Sequence, residues 1–310
     1  MSIAFLFPGQ GSQSTGMLNA LMRHQAILET LDEASDVLGY DVRELDGETA
    51  LESTVSVQLA LLTAGVGTAR AFSAEGLIPD AVAGISVGAF AAAVQCGVLN
   101  FADAIRLVRL RAESMAALYP TGYGLSAIIG LSEEKVVSLL EQSYTENDPV
   151  YLANINSRSQ LVIAGSDAGM QKVLVAALQQ GARKVRRLPV SVPSHCPLLQ
   201  SVVTTLRSML QNMILGAPTA AAYIGNVRGR PLRSSADIAE DIVSNIAHPV
   251  RWTDTTSVLE ELGCHVFLEM SPGHVLRDLA RQDNPEVKAI AVENTEISST
   301  LSAFVRSSDW

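Results

Sequence analysis

Cysteine is scarce in this chain of 310 residues: Cys96, Cys196 and Cys264 stand far apart, with no Cys-x-x-Cys pair. That argues against a disulfide framework or a thiolate metal cluster, and no metal site is expected. Charge is sparse too, at 17% of residues, and it leans acidic, with 32 Asp and Glu against 22 Lys and Arg and a net charge of −10. With no basic excess to offset phosphate repulsion, neither nucleic acid nor an anionic membrane is an expected partner. Long apolar runs are few. Only the stretch from Ala81 to Leu99 is read as approaching bilayer length, and Gly84, Ser86, Gly88, Gln95 and Gly97 interrupt it. Ile3–Phe7 is apolar but runs into Pro8-Gly9 with no basic residue before it, so no secretory leader is read and a cytoplasmic location is expected.

What the chain does have is a hydrophobic content of 48%, enough for a large core. Strand-like and helix-like segments alternate. Ile3–Phe7 reads as a strand, Val55 to Ala71 as a long apolar helix, Ala81–Ala83 as a strand and Ala102 to Leu118 as a helix. Later come strand Ala222–Gly225, a helix near Ser235–Ile246, and strands His265–Glu269 and Val287–Val292. Such βα alternation predicts a mostly parallel sheet covered by helices, with ligands at the carboxyl ends of the strands. Between Gly122 and Val190 the order changes to β-α-β-β-α-β, that of a ferredoxin-like module. The predicted fold is therefore α/β, with residues 1–121 and 191–310 forming the large domain and 122–190 an inserted small subdomain. The cleft between them is the expected binding site.

Gly84-Ile85-Ser86-Val87-Gly88 is the most informative stretch. A short buried strand leads into it and an alanine-rich helix starts after it, so glycines two before and two after the serine permit a sharp strand-to-helix turn. Such an elbow lifts Ser86 Oγ out of the sheet and leaves the Val87 N–H at a helix N-terminus, ready for an oxyanion. On the helix 102–118, Ala104, Leu107, Val108, Arg111, Met115 and Leu118 fall in one sector about 100° wide, an apolar stripe. A guanidinium on that stripe needs an anion. A structural carboxylate or a side chain that snorkels out to solvent is one reading, and a substrate carboxylate is the other. A base for Ser86 has five candidates: His24 in a polar helical context, His265 opening a strand, and His195, His248 and His274 in loops. Chemistry favours the loop histidines without choosing among them.

Phe7-Pro8-Gly9-Gln10-Gly11-Ser12-Gln13, the elbow, Arg111, Asn154-Ile155-Asn156-Ser157 and Ser191-Val192-Pro193-Ser194-His195-Cys196 follow one another in that order. Together they resemble the malonyl-CoA:acyl carrier protein transacylase family over nearly the whole chain. The resemblance implies a hydrolase-like α/β core with a ferredoxin-like insertion. It also implies Ser86 as acyl-accepting nucleophile, His195 as general base, and the backbone N–H groups of Gln10 and Val87 as oxyanion hole. Arg111 would hold the malonyl carboxylate, and Gln58, Asn154 and Asn156 match residues lining the cleft. Asn245 matches the position whose main-chain carbonyl orients the histidine. No bound cofactor is implied: malonyl-CoA is the substrate and the thiol arm of an acyl carrier protein the acceptor.

Two positions depart from the family pattern, Ile85 in place of histidine and Ala89 in place of glutamate. These, with Pro120-Thr121-Gly122-Tyr123-Gly124-Leu125, look more like the branch that forms the epsilon subunit of biotin-independent malonate decarboxylase, whose acceptor is that enzyme's own carrier subunit. The alternatives are transacylases of fatty-acid or polyketide synthesis, a serine thioesterase, and a non-catalytic assembly subunit. Arg158, Arg183-Lys184 and Arg186-Arg187 are candidates for docking an acidic carrier; a merely solvated strand edge is the competing reading.

Overall fold

Apolar strands short enough to be buried on both faces come first, and they set the architecture. The computed structural model describes residues 2–293 and Ile297. In chain order, β1 (Ser2–Phe7), α1 (Gln25–Leu38), α2 (Thr54–Ala74), β2 (Ala81–Gly84), α3 (Gly88–Gln95) and α4 (Phe101–Leu118) make the first half of the large layer. The small unit follows: β3 (Tyr123–Ile129), α5 (Glu133–Ser143), β4 (Val150–Ser157), β5 (Gln160–Ser166), α6 (Asp167–Gln179) and β6 (Lys184–Arg187). The chain then returns through α7 (Gln200–Leu210), β7 (Ala222–Ile224), β8 (Pro231–Leu232), α8 (Ser235–Ser244) and β9 (Val250–Arg251). It continues with α9 (Trp252–Glu261), β10 (Cys264–Glu269), α10 (Val275–Asp283) and β11 (Lys288–Ala291).

The large sheet has the order β11-β10-β1-β2-β7-β8 and is parallel except for the β7–β8 pair. The mixed α/β fold with a largely parallel sheet is thus as predicted. One core joins β1 to α2, α3 and α4 around Phe5, Phe7, Phe72, Phe90 and Phe101; a second, on the other face, gathers Trp252, Phe267 and Leu276. Helix α2 is long and apolar enough to span a bilayer, a second segment of that length beside residues 81–99, yet the core buries most of it. The small sheet runs β6-β3-β5-β4-β9, antiparallel except where β9, contributed from beyond the small unit, joins β4 in parallel. Helices α5 and α6 cover one face through Val136, Leu140, Met170 and Val173. The other face turns Leu125 and Val162 toward the cleft.

Four helices, α1, α7, α9 and α10, go beyond the segments read from the sequence. The predicted apolar stripe on α4 also ends earlier than expected: Leu118, the last residue of the helix, is 42% exposed.

Candidate active site

The carboxyl ends of β1 and β2 meet at the elbow. Neither elbow glycine has a positive φ; both are required by close approach, since a Cβ on Gly84 would strike the Gly88 carbonyl and one on Gly88 the Phe7 carbonyl. The turn itself falls on Ser86, at φ 57°, and the only other non-glycine residue with positive φ among those described is His195, at φ 65°. Side chains rarely tolerate that region unless the surroundings impose it, and such positions concentrate where chemistry is done.

His195 is buried, and its Nε2 lies 2.8 Å from Ser86 Oγ. Its Nδ1 is 2.7 Å from the Asn245 carbonyl oxygen, which only accepts, so Nδ1 carries the proton and Nε2 is free to receive one from the serine. The Asn245 carbonyl is exposed for this role because α8 ends at Ser244 and a 3-10 turn, Asn245–Ala247, follows. Carbonyls at a helix C-terminus carry partial negative charge and favour a developing imidazolium, so no carboxylate is needed. The next carbonyl, of Ile246, accepts the His195 backbone N–H at 2.6 Å and holds the strained loop. Burial, and after it the Arg111 charge, lowers the His195 pKa to about 3, so the resting imidazole is neutral.

Arg111 is 1% exposed, and no carboxylate pairs with it among the described residues. Its guanidinium donates to Gln58 Oε1 and, at 3.1 Å, to Ser86 Oγ, while Nε has no partner. Burial lowers its pKa to about 9, so it remains a cation at neutral pH. Among the described residues no structural carboxylate answers its charge. Gln58 Nε2 in turn donates to Thr54 Oγ1 at 2.9 Å, and Thr54 Oγ1 to Gln10 Oε1 at 3.1 Å. One chain of hydrogen bonds therefore links the Gln10 loop to the nucleophile candidate.

Comparison with known proteins gives the family. Residues 4–297 match the acyl transferase domain family. The malonyl CoA-acyl carrier protein transacylase of Haemophilus influenzae is 36% identical over 309 residues, covering 97% of this chain and 98% of its own length. The chain belongs to the acyl transferase domain family. A crystal structure from Acinetobacter baumannii, titled FabD, superposes with a TM-score of 0.93 at 35% identity, covering 99% of both chains. A malonyl-transacylase solved with a type II PKS acyl-carrier protein does so with a TM-score of 0.92 at 35% identity, covering 97% of this chain and 98% of its own. The first and last of these relatives carry transacylase names, which favours the transacylase alternative over the malonate decarboxylase expectation.

In this acyltransferase Ser86, His195, Arg111 and Gln58 open onto one cleft of about 120 Å³, which Gln10, Val87, Asn154 and Asn156 also line. Two β-bulges in β4 place the asparagines there. Pairing runs Leu152↔Ile163 and then Asn154↔Val162, and later Ile155↔Leu161 and Ser157↔Gln160. The first extra residue, Ala153, shifts the alternation, so Asn154 and Asn156 take the open face that Tyr151 and Ala153 also line, while Ile155 packs under the helices with Val150 and Leu152. Neither the Gln10 nor the Val87 N–H is committed to an acceptor among the described residues. Asn245 contributes no side chain to the cleft. Its backbone carbonyl alone reaches His195.

The two departures differ in consequence. Ala89 is fully buried in the core at the first turn of α3, whereas Ile85 lines the cleft and leans on the Trp252 core. Cys196, beside His195, is no rival nucleophile, because burial pushes its thiol up to about 12 and it is bonded to the Pro193 carbonyl. Three of the other four base candidates lie elsewhere in partnerships of their own, His24 with Glu75, His248 with the Ser244 carbonyl and His274 with Asp278, and the fourth, His265, is exposed on β10. Of the basic candidates, Arg187 is structural, its guanidinium spent on the Leu125 and Tyr123 carbonyls and Asp167. The sequence reading missed Val275, Leu276 and Leu279, which wall the cleft from α10, and Asn226, whose Oδ1 accepts the Ser86 N–H at 2.9 Å.

Proposed function

We propose that this acyltransferase moves malonyl from malonyl-CoA to the thiol of an acyl carrier protein through a malonyl ester on Ser86. The observation that carries the reading is a buried, carboxylate-free guanidinium bonded to the same Oγ that the neutral imidazole faces. An acyl group with a free carboxylate supplies the missing anion; an acetyl group leaves the cation unpaired.

In the first half-reaction Ser86 Oγ attacks the thioester carbonyl and its proton passes to His195 Nε2. The oxyanion lies between the Gln10 and Val87 N–H groups, donors worth about 10²–10³-fold each in rate. Collapse breaks the C–S bond, and the departing CoA sulfur takes the proton from His195. The carrier thiol then enters, gives its proton to His195, attacks the ester carbonyl, and Ser86 leaves with that proton. When the substrate carboxylate neutralises Arg111, the second cause of the depressed His195 pKa is removed, so the donor itself makes the base stronger.

A carrier of fatty-acid or polyketide synthesis is the preferred acceptor, supported by the transacylase name of the Haemophilus relative and by the relative solved with a type II PKS acyl-carrier protein. The malonate decarboxylase carrier is a finer variant of the same chemistry, resting on Ile85, Ala89 and residues 120–125. The deciding experiment mixes the protein with malonyl-CoA, quenches it, and weighs the peptide bearing Ser86. A malonyl ester that discharges onto an added holo-carrier is expected. Free malonate with no carrier-bound product would mean a thioesterase, and an unmodified serine a non-catalytic subunit. Carrier subunits offered in competition then rank the acceptors.

A further inference from the structure

At the end of β2 the sheet loses a strand just where the nucleophile must be held. Strand β7 pairs with β2 through Ala81↔Ala222, Val82↔Tyr223 and Ala83↔Ile224, and then turns away: the next backbone N–H that would face β2, that of Asn226, goes to Asp241 Oδ2 instead. The side-chain amide of Asn226 takes over. Its Nδ2 donates to the Gly84 carbonyl at 2.8 Å and its Oδ1 accepts the Ser86 N–H at 2.9 Å. A residue in a parallel ladder gives its N–H to the residue before its opposite number and its C=O to the residue after. The Asn226 amide does both across Ile85, so it stands in for the missing peptide unit. On the other side the Ile85 N–H is held by the Phe7 carbonyl at 3.0 Å.

Asn226 is itself fixed in place. It is 2% exposed, its own N–H donates to Asp241 Oδ2 at 2.9 Å, and its carbonyl accepts the Arg251 N–H at 2.9 Å. Asp241 also accepts the Val227 N–H at 3.1 Å. A chain from α8 to the elbow thus ends on Ser86, the one serine at positive φ among the described residues.

We infer that Asn226 is a positioning residue for this reaction: its amide, locked by Asp241, holds Ser86 in the left-handed conformation from which Oγ reaches both His195 and the acyl carbon. The inference rests on Ser86 being the nucleophile. It makes Asn226 indifferent to which acyl group arrives, unlike Arg111.

The test compares Asn226→Ala and Asn226→Asp in the full-length protein. Asn226→Ala removes both bonds and is expected to lower kcat about 10- to 100-fold for malonyl-CoA and acetyl-CoA alike, the KM values moving by less than about threefold. Labelling of Ser86 by a fluorophosphonate probe, which uses neither CoA nor the carboxylate subsite, falls in parallel. In Asn226→Asp a protonated carboxyl reproduces both bonds, while an ionised one sets an oxygen against the Gly84 carbonyl. The titratable groups around it are Asp241 from α8, Tyr223 beyond Asp241, and His195 and Arg111 through Ser86; the Arg251 side chain turns to Asp254 and Glu133. Its kcat profile therefore gains a loss with rising pH that the wild type lacks. Wild-type turnover or labelling in Asn226→Ala, a defect confined to KM, or an Asn226→Asp profile superimposable on the wild type overturns the inference. If Asn226→Ala does not fold, the Asn226→Asp profile decides alone. A wild-type protein that accepts the probe but no malonyl would sink the proposed function and leave the Asn226 comparison readable.

Discussion

On the large-sheet side of the cleft the polar side chains are linked: Gln10, Thr54, Gln58, Arg111, Ser86, His195 and the Asn245 carbonyl bond one to the next, which leaves Arg111 Nε and the Gln10 and Val87 N–H groups for the substrate. On the small-sheet side the polar side chains are not linked. Asn156 Oδ1 is buried without a partner, and the Asn154 side chain, 8% exposed, makes no hydrogen bond among the described residues. Around those asparagines lie Leu125, Val162, Leu188 and Val190. One wall is pre-organised, with strain at Ser86 and His195 imposed by its neighbours. The other presents amides whose partners must come with the substrate. Rate should therefore be lost on the first wall and affinity on the second.

The largest effects should follow removal of the reacting pair. Ser86→Ala and His195→Ala are each expected to lower kcat about 10⁴-fold or more, with no acyl-enzyme in the quenched Ser86→Ala sample. A His195→Ala variant that still acylates at a tenth of the normal rate would show another base at work. The pH dependence sharpens this. Because His195 binds its proton with a pKa of about 3 in the folded chain against 6.5 ordinarily, the acid limb of kcat/KM should lie well below pH 6. Folding stability has the matching sign. Between those two values the unfolded chain holds more protons, so stability attributable to His195 is present above about pH 6.5 and is lost as pH falls toward 3. Denaturant titrations of wild type and His195→Gln across that window check it, the variant showing the shallower acid decline.

Arg111→Ala comes next. It should reduce malonyl transfer about 10²–10³-fold while acetyl transfer is kept or gained, since the neutral acyl group no longer faces an unpaired cation. It should also raise the acid limb measured with acetyl-CoA, because the charge beside His195 is gone. Equal losses with both donors would make the arginine structural.

Much of this was legible from residues. The elbow glycines announced a close approach that the Gly88 and Phe7 carbonyls now explain, and Arg111 betrayed itself as a charge on an apolar stripe. Where legibility failed, the reason was physical. Asn226 follows Gly225 and reads as an ordinary turn; only the loss of β7 beside β2 gives its amide a task. Helix α10 is rich in Arg, Asp and Gln, and its three cleft residues emerge only when it packs against the small sheet. Arg186-Arg187 looked like one basic surface, but a register in β6 that pairs Ser126 with Arg187 turns the second guanidinium onto β3. The choice of His195 among five histidines came from the resemblance, not from chemistry read along the chain.

On the small-sheet wall, Asn154→Ala and Asn156→Ala should raise the KM for malonyl-CoA about tenfold with kcat changed by less than about threefold, the reverse of the pattern opposite. A kcat-only defect there would erase the distinction between the walls.

The smallest effect is expected at Asn245, although its carbonyl touches the base. Its side chain does little: Nδ2 donates to the Ile242 carbonyl at 3.3 Å and Oδ1 is unpartnered. What His195 uses is the main chain, exposed by the end of α8 and kept in place by the Asn245 N–H bonding to the Asp241 carbonyl. Asn245→Ala preserves both bonds, so kcat should stay within about twofold of wild type while stability falls by about 1 kcal/mol for a buried amide lost. A triad carboxylate would behave otherwise, since its removal leaves the imidazole without an acceptor. A loss of kcat at Asn245→Ala beyond tenfold would therefore mean that the side chain, not the helix end, orients the histidine.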